Sequence, residues 1–381
     1  MKVCIVVPRF DPSKGKPAFY IARELRKIGH DVTVITSNLE QVLNKRITIV
    51  DELESIKTIR LSGFVLKKKV FIPSSIVKLL TIDTDVFQLD GFGHLITTYA
   101  SWIGRIRNIP VVLRADWSGQ NIISRGLKGL YDRHIKFPTL INSNIITVFS
   151  KEQKQKMMSY KLNPKKIITL PNGVDYERFT KARKNDYLRK KFSIDKSTKI
   201  LLCVSRLVPS KDLEFAIQAV LEVRKRHKVS LVIVGLKSDR KYYRKLLSLA
   251  KKLKVENYVF FHPEVQHKNM QKIYAAADIF ALTTKPFGEG MNLSTLEAMA
   301  SGLPIITTSV NVTSNFVREA KCGFIVDNLN SFIEALKTLI KDENLRMAMG
   351  KNARKFVKKY SWNNIVSEIN KIYKKLIKET E

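Results

Sequence analysis

Hydrophobic and polar residues follow two different periods in the first part of the chain. An apolar run over positions 3–7 ends at Pro8 and predicts a buried strand. From Pro17 to Ile28, apolar side chains recur every three or four positions among charged ones, which predicts a helix that ends at Gly29. Residues Asp31–Thr36 predict a second strand. Strand, helix and strand in this order form a βαβ unit, so we expect a parallel sheet with a right-handed crossover.

This alternation continues along the chain with one interruption. Turn-forming Pro171-Asn172-Gly173-Val174-Asp175 is followed by polar and charged residues up to Thr198, and we place a domain boundary there. The pattern predicts an α/β fold of two Rossmann-like, doubly wound parallel-sheet domains, over residues 1–171 and 172–361. Further strands are predicted at 57–61, 86–89, 111–114, 144–149, 166–170, 199–204, 229–234, 259–261, 278–282, 305–307 and 324–326, and helices at 74–82, 95–107, 122–137, 151–160, 212–226, 241–254 and 270–277.

The connection between Pro8 and Pro17 follows the first strand, where a ligand of an open α/β sheet is expected to bind. It contains Gly15 but no G-x-G-x-x-G motif. The sequence therefore does not indicate a dinucleotide cofactor.

Length and composition fit a two-domain globular protein. The chain has 381 residues, of which 44% are hydrophobic, and no apolar run approaches the ~20 residues of a membrane-spanning helix. The opening strand is too short for the core of a signal peptide, so we expect a cytoplasmic protein. Cys4, Cys203 and Cys322 are far apart, which favours buried reduced thiols over disulfides or a metal site.

The net charge is strongly positive. The 68 basic and 34 acidic residues give +34, which indicates a polyanionic partner such as nucleic acid or an anionic membrane. Lysine enrichment spread over solvated helix faces, as a habit of a whole proteome, would give the same number. The charge alone leaves both interpretations open.

One segment combines glycines, two acids and a helix start. Glu289 and Glu297 lie eight positions apart (297 − 289), and Gly288 and Gly290 allow the backbone to approach a ligand closely. We predict that Ser294 or Thr295 caps a helix there. Helix N-termini bind phosphate and carboxylates accept hydrogen bonds from sugar hydroxyls, so the segment predicts a sugar-nucleotide site. A surface turn with solvated acids is the alternative for either Glu alone.

The loop entering the first helix of the second domain carries two cations, Arg206 and Lys211. A diphosphate leaving group gains negative charge as its bond to a sugar breaks, and fixed cations stabilise that charge. Arginine makes bidentate contacts while lysine acts as a point charge, so the two are complementary. Taken alone, each could equally be a solvated loop residue.

Asp83-Thr84-Asp85 has the spacing of a metal-binding D-x-D motif. No other acid cluster lies nearby in the sequence, so we interpret it as a turn and expect no metal site.

These motifs together resemble family-four glycosyltransferases of the GT-B fold. The resemblance covers most of the second domain and two segments of the first. It rests on the Arg206/Lys211 loop, on the Glu289-to-Glu297 acid pair and on the following segments: Gly29–Val34, Pro171–Asp175, Ala276-Ala277-Asp278, Ala298–Pro304, Cys322–Val326 and Tyr360-Ser361-Trp362.

The resemblance implies a metal-independent, retaining transferase whose two domains face a central cleft. Glu289 would contact the transferred sugar, Glu297 the ribose diol, and Arg206 with Lys211 the diphosphate. Backbone amides around Met291 and Asn292, beside Gly290 and Leu293, would complete the phosphate cradle, and His262 would border the base. The final helix, from about Trp362, would cross back onto the first domain, which would hold the acceptor.

The first domain departs from the family pattern at two places. Gly15 is followed by Lys16 where the family usually has two adjacent glycines. Arg114-Ala115-Asp116 stands where the family usually has Thr-x-His, so Asp116 replaces a histidine near the reacting sugar. His94 on the next strand-end loop is the other candidate, and a polar residue at a helix N-terminus is its equally good alternative.

We therefore expect a retaining glycosyltransferase that uses a nucleoside-diphosphate sugar, with UDP or GDP as the expected nucleotide. The expected acceptors are a membrane glycolipid, a lipid-linked glycan or a polysaccharide precursor. Lys67-Lys68-Lys69, followed by apolar residues 70–72 and Ile76, predict peripheral attachment to the inner face of the cell membrane. A sugar-nucleotide epimerase of the same fold and a nucleic-acid-binding protein are the alternatives.

Overall fold

The computed structural model describes residues 1–38, 56–66, 70–115, 127–285 and 291–379. The chain divides into two compact units. The first unit contains Met1–Asn172 together with Trp362–Glu381, and the second contains Gly173–Ser361.

The described part of the first unit is built on a seven-stranded sheet in the order β3-β2-β1-β6-β7-β8-β9, in which every neighbouring pair is parallel. Its strands, with a separate hairpin of β4 and β5, are β1 (Lys2–Val7), β2 (Asp31–Ser37), β3 (Lys57–Leu61), β4 (Gly63–Leu66), β5 (Val70–Pro73), β6 (Val86–Asp90), β7 (Val111–Arg114), β8 (Ile145–Val148) and β9 (Ile167–Thr169). The helices before the second unit are α1 (Pro17–Lys27), α2 (Val77–Thr81), α3 (Leu95–Ile106), α4 (Leu127–Tyr131), α5 (Phe137–Asn142) and α6 (Lys151–Met158).

Burial explains why the strands of this sheet could be read from the sequence. In β1 all residues except the first are buried, as are all five residues of β6. Parallel strands covered on both faces are apolar without alternation. All three cysteines are buried free thiols, with Cys4 in β1 of this unit.

Two features of the first unit were not predicted. The antiparallel hairpin of β4 and β5 lies in a region where no strand was predicted. Between α4 and α5, residues Asp132–Lys136 form a π-helix. The predicted helix over 122–137 is therefore a helix, a π-helical turn and a second helix in its described part. Pro138 accounts for the irregularity, since it has no N–H to donate to the preceding turn.

The second unit has a six-stranded sheet in the order β12-β11-β10-β13-β14-β15 over its described residues, again with parallel neighbours. Its strands are β10 (Lys199–Val204), β11 (Val229–Val234), β12 (Val259–His262), β13 (Ile279–Leu282), β14 (Ile305–Thr308) and β15 (Gly323–Val326). Its helices are α7 (Tyr176–Thr180), α8 (Tyr187–Phe192), α9 (Leu213–Arg224), α10 (Arg240–Lys252), α11 (Met270–Ala275), α12 (Leu293–Ala300), α13 (Ser314–Ala320), α14 (Leu329–Lys341) and α15 (Glu343–Val357). The predicted fold of two Rossmann-like parallel-sheet domains is confirmed.

The polar stretch up to Thr198 is not a bare linker. It contains α7 and α8, which the sequence did not predict because both are short and rich in charge. Each buries one apolar residue, Phe179 in α7 and Leu188 in α8, and packs against α11. These single anchors hold the stretch to the second unit.

The last helix, α16 (Trp362–Lys378), returns to the first unit and packs against α1. The rings of Trp362 and Tyr20 stack with centroids 5.4 Å apart. At the other end of the contact, the Tyr373 hydroxyl donates to Gln88 Oε1 over 2.7 Å, and both side chains are buried. The resemblance to the family implies this return of the chain.

Replacing Tyr373 by Phe should lower the free energy of unfolding of the first unit by about 1–3 kcal/mol, because Gln88 Oε1 would lose its donor while remaining buried. Urea unfolding followed by tryptophan fluorescence measures this, since Trp102, Trp117 and Trp362 all belong to the first unit. The double variant Gln88→Met/Tyr373→Phe removes both polar partners and should recover most of the loss. A double variant no more stable than Tyr373→Phe would contradict this account.

Candidate functional site

The second sheet has a topological switch point between β10 and β13, which are neighbours although β11 and β12 lie on the other side of β10. Ligands of open α/β sheets bind at the carboxyl ends of strands at such a point. The loops that leave these two strands are bonded to each other there. Thr283 Oγ1 donates to the carbonyl of Lys211 over 2.7 Å, and Lys285 N donates to the carbonyl of Ser210 over 3.0 Å. These two loops define the candidate site.

Lys211 places its ammonium group at the N-terminus of α12. The side chain is 3% exposed, and Nζ donates to Asn292 Oδ1 over 2.9 Å. Asn292 is the N-cap residue of α12, whose first N–H groups carry the positive end of the helix dipole. A fixed positive charge and a helix N-terminus therefore act together on any anion bound there.

Arg206, by contrast, is exposed on the loop directly after β10. The position of this loop depends on Gly235, because a Cβ atom there would lie 1.8 Å from the Ser205 carbonyl oxygen. No larger residue fits at position 235 without moving the backbone that leads into Arg206. The structure thus places Lys211 at the N-terminus of α12 and Arg206 at the start of the same loop.

The Glu297 carboxylate lies on α12, five residues after Asn292, and is 7% exposed. Its Oε1 is 2.6 Å from His267 Nε2, and its Oε2 accepts a hydrogen bond from the Tyr274 hydroxyl over 2.8 Å. Each carboxylate oxygen has a second acceptor position. Two neighbouring hydroxyl groups could therefore still donate to this carboxylate, as the prediction for a ribose diol requires.

The tautomer of His267 follows from its neighbours. Arg178 Nη2 lies 3.0 Å from His267 Nδ1, and an arginine can only donate. His267 Nδ1 is therefore the acceptor, and Nε2 carries the proton that is donated to Glu297. Asp175 lies at the outer end of the chain of contacts, with Oδ2 3.7 Å from Arg178 Nε. Sequence reasoning missed Arg178 and His267, which lie far from Glu297 along the chain.

Glu297 is kept ionised and its tyrosine partner is kept protonated. Burial acts to raise the pKa of Glu297, but His267, the Tyr274 hydroxyl and the charge of Arg178 outweigh it and hold that pKa below its ordinary value. Burial and the Glu297 charge raise the pKa of Tyr274 well above its ordinary value. Glu297 is thus a buried acceptor that is negatively charged at neutral pH.

The predicted start of α12 at Ser294 or Thr295 is wrong. The helix begins at Leu293, and Asn292 is its N-cap. The Asn292 side chain does not cap the helix, because its amide oxygen accepts from Lys211. The Thr295 side chain is buried and bonds Thr313 Oγ1. Of the predicted cradle residues, Met291 is buried and Leu293 is half-buried, and both lie at this helix start.

His262 ends β12, and both of its ring nitrogens lie within hydrogen-bond distance of protein atoms. Nδ1 is 2.8 Å from the Pro263 carbonyl oxygen, so it carries the proton, and Nε2 accepts from the Tyr187 hydroxyl over 3.1 Å. Burial, together with the charge of Lys191, lowers the pKa of His262. The ring is thus neutral, and protein atoms engage both of its nitrogens. A nucleobase beside His262 would therefore contact the ring carbons or the backbone.

Gly15 lies in a turn after β1 in the first unit. Its φ is 61°, in the left-handed region, at the end of the 3-10 turn Pro12–Lys14. Asp11 begins that turn by accepting from Ser13 N over 3.0 Å and from Ser13 Oγ over 2.6 Å. The loop after β1 is therefore ordered by its own hydrogen bonds.

His94 is the N-cap residue of α3, after β6, but its side chain does not cap the helix. Its backbone carbonyl accepts from the hydroxyls of Thr97 and Thr98, over 2.9 and 3.1 Å. Desolvation by the surrounding protein, followed by the charge of Arg9, lowers the pKa of His94, although the residue as a whole is exposed. The ring is therefore neutral at pH 7 and can accept a proton.

Arg114, one of the departures from the family pattern, belongs to a buried polar cluster at the strand ends of the first unit. Its Nη2 is 2.6 Å from Asp90 Oδ1, its Nη1 donates to Asn172 Oδ1, and its guanidinium lies over the Phe149 ring. Asp90, Arg114 and Asn172 are 6%, 5% and 5% exposed. This arginine therefore binds protein groups at the end of β7.

Several predicted residues lie outside the described part of the chain, namely Glu289, Gly290, Asp116 and Lys67–Lys69. Their predicted roles stay predictions. The described residues contain no cluster of three or more histidine, cysteine or acidic side chains that could hold a metal. Asp83, suggested by the D-x-D spacing, contacts Lys2 Nζ, and Asp85 accepts from Lys2 N over 2.7 Å. No helix among the described residues has the length and apolar content to cross a bilayer.

Two protein families match this chain. Residues 184–356 match the family described as glycosyl transferases group 1, and residues 18–178 match glycosyltransferase family 4. The first match contains Arg206, Lys211, His267 and Glu297, and the second contains His94 and Arg114.

Curated relatives belong to the same class of enzyme. The D-inositol 3-phosphate glycosyltransferase of Corynebacterium jeikeium is 29% identical over 245 residues, which cover 62% of this chain and 58% of that protein. The UDP-Gal:alpha-D-GlcNAc-diphosphoundecaprenol alpha-1,3-galactosyltransferase of Escherichia coli is 27% identical over 281 residues, covering 70% and 69%. The matched part thus spans about three fifths of the first of these relatives and about two thirds of the second.

Solved structures share the fold over nearly the whole chain. Anabaena Alr3699/HepE, crystallised in complex with UDP, superposes with a TM-score of 0.78 at 16% identity, covering 98% of this chain and all of that one.

Replacing Glu297 by Gln should lower the free energy of unfolding of the second unit by about 1–3 kcal/mol at pH 7, because the charge is lost and one of the two oxygens that face His267 and Tyr274 becomes an NH2 group, which cannot accept a hydrogen bond. Since the folded-state pKa of Glu297 is depressed, the carboxylate stabilises the fold above its ordinary pKa, near 4.5, and this contribution is lost as the pH falls through the folded-state value. The difference between wild type and variant should therefore shrink on acidification.

Urea unfolding followed by circular dichroism at pH 7 and near pH 4 measures this difference. Glu319→Gln, at an exposed position of the same unit, is the control and should change stability by less than about 0.5 kcal/mol. An equal loss for Glu297→Gln at both pH values would show that the charge of Glu297 has no role.

Proposed function

The chain belongs to the family-four glycosyltransferases, and on that basis we propose that it transfers a sugar from a nucleoside-diphosphate sugar to an acceptor with retention of anomeric configuration. One observation carries the proposal. Lys211 lies at the N-terminus of α12, where positive charge suits a phosphate, and Glu297, whose carboxylate can accept hydrogen bonds from hydroxyl groups, lies five residues after Asn292 on the same helix. Five residues of helix span about 7.5 Å. One rigid element thus presents both chemistries that a sugar nucleotide requires.

The two cations and the helix dipole are proposed to replace a metal ion. The bond between the sugar and the diphosphate breaks with charge accumulating on the diphosphate oxygens. Lys211 is fixed at the helix N-terminus and Arg206 follows β10, so both can stabilise that charge without a bound metal. No cofactor is needed in this scheme, and Glu289 is the proposed contact of the transferred sugar.

UDP is the preferred nucleotide of the proposal, with GDP as the second choice. HepE binds UDP, and the Escherichia coli relative is named for UDP-galactose. The Glu297 carboxylate suits the ribose that both nucleotides share, so it does not distinguish the bases.

The acceptor is proposed to bind the first unit and to be a membrane glycolipid, a lipid-linked glycan or a polysaccharide precursor. A diphosphoundecaprenol-linked sugar is the acceptor named for the Escherichia coli relative. His94 is neutral and can take a proton or a hydrogen bond from an acceptor hydroxyl, and Asp116 is the other candidate. Peripheral attachment to the cytoplasmic side of the membrane follows if the acceptor is a lipid.

The alternatives have less support. A sugar-nucleotide epimerase of the same fold is not favoured, since the relatives are glycosyltransferases. A nucleic-acid-binding protein is suggested by the net charge of +34 alone and would show affinity that falls steeply with salt.

A panel of UDP- and GDP-sugars should reveal at least one from which the protein releases nucleoside diphosphate. Glu289→Ala should reduce this release by about 10²-fold or more if the carboxylate contacts the reacting sugar. Release is measured by a coupled assay for nucleoside diphosphate. No release from any donor, or full release by the variant, would contradict the proposal.

Replacing His267 by Ala should raise KM for the donor about tenfold with little change in kcat, because a misplaced Glu297 weakens ribose binding equally in the ground and transition states. The affinity for the free nucleoside diphosphate, measured by calorimetry, should fall by a similar factor. His227→Ala, in the connection before β11, is the matched control and should leave both unchanged. A fall in kcat at constant KM would instead assign His267 to the chemical step.

A further inference from the structure

Apolar side chains are exposed together on one face of the first unit. Helix α3 packs against β5, α2, α5 and the π-helix Asp132–Lys136, while β4 pairs with β5 and α4 adjoins the π-helix, so these elements are neighbours. We call their shared outer surface the α3 face. Its large hydrophobic side chains, each at least 40% exposed, come from β4, α2, α3, α4 and α5 and are Phe64, Leu66, Val77, Leu80, Trp102, Ile106, Leu130 and Ile141.

Helix α3 is apolar on both sides. Ile96, Ala100 and Ile103 are buried against the sheet, as expected for a helix of a soluble domain. Trp102 and Ile106, one turn apart on the outer side, are 40% and 76% exposed. The Tyr99 ring lies beside Trp102 with centroids 5.9 Å apart, which extends the apolar stripe. Contiguous exposed apolar surface of this kind marks an interaction site.

The α3 face exposes no acidic side chain in the elements that form it. Across β4, β5, α2, α3, α4, the π-helix and α5, the one acidic residue is Asp132, which is fully buried and paired with Lys136 at 2.6 Å. The same elements expose the cationic side chains of Lys78, Arg105 and Arg133, and the connections that follow α2 and α3 expose Asp83, Asp85 and Arg107. The described elements of the face thus carry an excess of positive charge.

We propose that the α3 face docks onto an anionic lipid bilayer. Aliphatic and aromatic side chains would enter the interface between headgroups and acyl chains, while the surrounding cations contact anionic headgroups. Nucleic acid offers no apolar phase for Phe64, Leu66 or Ile106. A second copy of the chain would bring two positively charged faces together, which is unfavourable. The combination of exposed apolar side chains with an excess of cationic groups therefore fits a membrane best.

The docking itself is independent of the proposed function. Its consequence for the acceptor rests on that function. A protein held by the α3 face would meet acceptors that are themselves anchored in the bilayer, which selects the lipid-linked class from the acceptors proposed above. Binding of lipid and release of nucleoside diphosphate are separate measurements, so either can fail without the other.

Vesicle flotation tests the docking directly. The full-length protein should float with vesicles of phosphatidylglycerol and phosphatidylcholine at low salt, and much less with phosphatidylcholine alone. Raising the salt concentration should weaken the binding without abolishing it, since the apolar part is not screened. Equal binding to both vesicles, or no binding to either, would overturn the proposal.

Truncating the apolar part of the face should reduce flotation at every salt concentration. Trp102→Ala/Ile106→Ala removes two exposed side chains and should lower the partition coefficient about tenfold or more. The matched control, Leu247→Ala/Val310→Ala, removes apolar side chains of similar exposure from the second unit and should have no effect. Equal loss in both pairs would show that general surface hydrophobicity, and not the α3 face, binds the vesicles.

Neutralising the cations should act on the salt-sensitive part alone. Lys78→Gln and Arg105→Gln should each weaken partitioning about fivefold on anionic vesicles and flatten its salt dependence. Lys251→Gln, an exposed lysine of α10, is the control and should leave partitioning unchanged. A loss in the control equal to that at Lys78 would assign the binding to net charge and overturn the proposal.

Two further readouts identify the occupant. Brominated acyl chains should quench the fluorescence of the bound wild-type protein, and Trp102→Phe should remove most of this quenching. Size-exclusion chromatography of the wild type and of Trp102→Ala/Ile106→Ala should show the same oligomeric state. A dimer that only the wild type forms would assign the α3 face to self-association and overturn the proposal. Loss of flotation with unchanged release of nucleoside diphosphate would separate this inference from the proposed function.

Discussion

The buried, charged carboxylate of Glu297 determines how several elements of the second unit are arranged. Taking Glu297 out of water costs several kcal/mol unless donors surround it, and the structure supplies them from two elements. Tyr274 comes from α11 and His267 from the turn before it, while Arg178 in α7 fixes the tautomer of His267. The short helix α7, with its one buried Phe179, is therefore needed for the electrostatics of α12 as well as for packing.

Helix α12 also explains how one site could bind a phosphate at one end and hydroxyl groups at the other with specificity. Lys211 bonds to Asn292 at its start, and Glu297 is held one and a half turns later. Neither group can shift without moving α12, whose residues 295–300 are all buried. A ligand whose phosphate binds beside Lys211 therefore also reaches Glu297 only if it has the right length.

Much of this fold could be predicted because parallel strands bury both faces. The apolar runs at β10, β11 and β7 coincide with the observed strands at both ends. The β4-β5 hairpin could not be predicted, since its strands are short and three lysines lie between them in the sequence.

The residues of the candidate site also fall into those that the sequence could indicate and those that it could not. Arg206, Lys211 and Glu297 could be proposed from the sequence because their residue types occur at a strand end and in a helix that follows a glycine-rich loop. His267 was missed because it lies 30 positions from its partner in a polar stretch. Arg114 was read as a departure in the acceptor region, whereas its charge is matched within the protein by Asp90, a pairing that only the register of β6 with β7 reveals.

Because α16 returns to the first unit, side chains that contact each other in that unit are synthesised at very different times. Gln88 and Tyr373 are separated by 285 positions, and the whole second unit lies between them in the sequence. At translation rates of about 5–20 residues per second, Gln88 waits roughly 15 to 60 s for its partner. During that interval the second unit can fold as a continuous segment, while the first has an uncovered surface beside α1 and a buried amide without its donor. The nascent first unit is thus the part of this protein most exposed to misfolding and to capture by chaperones.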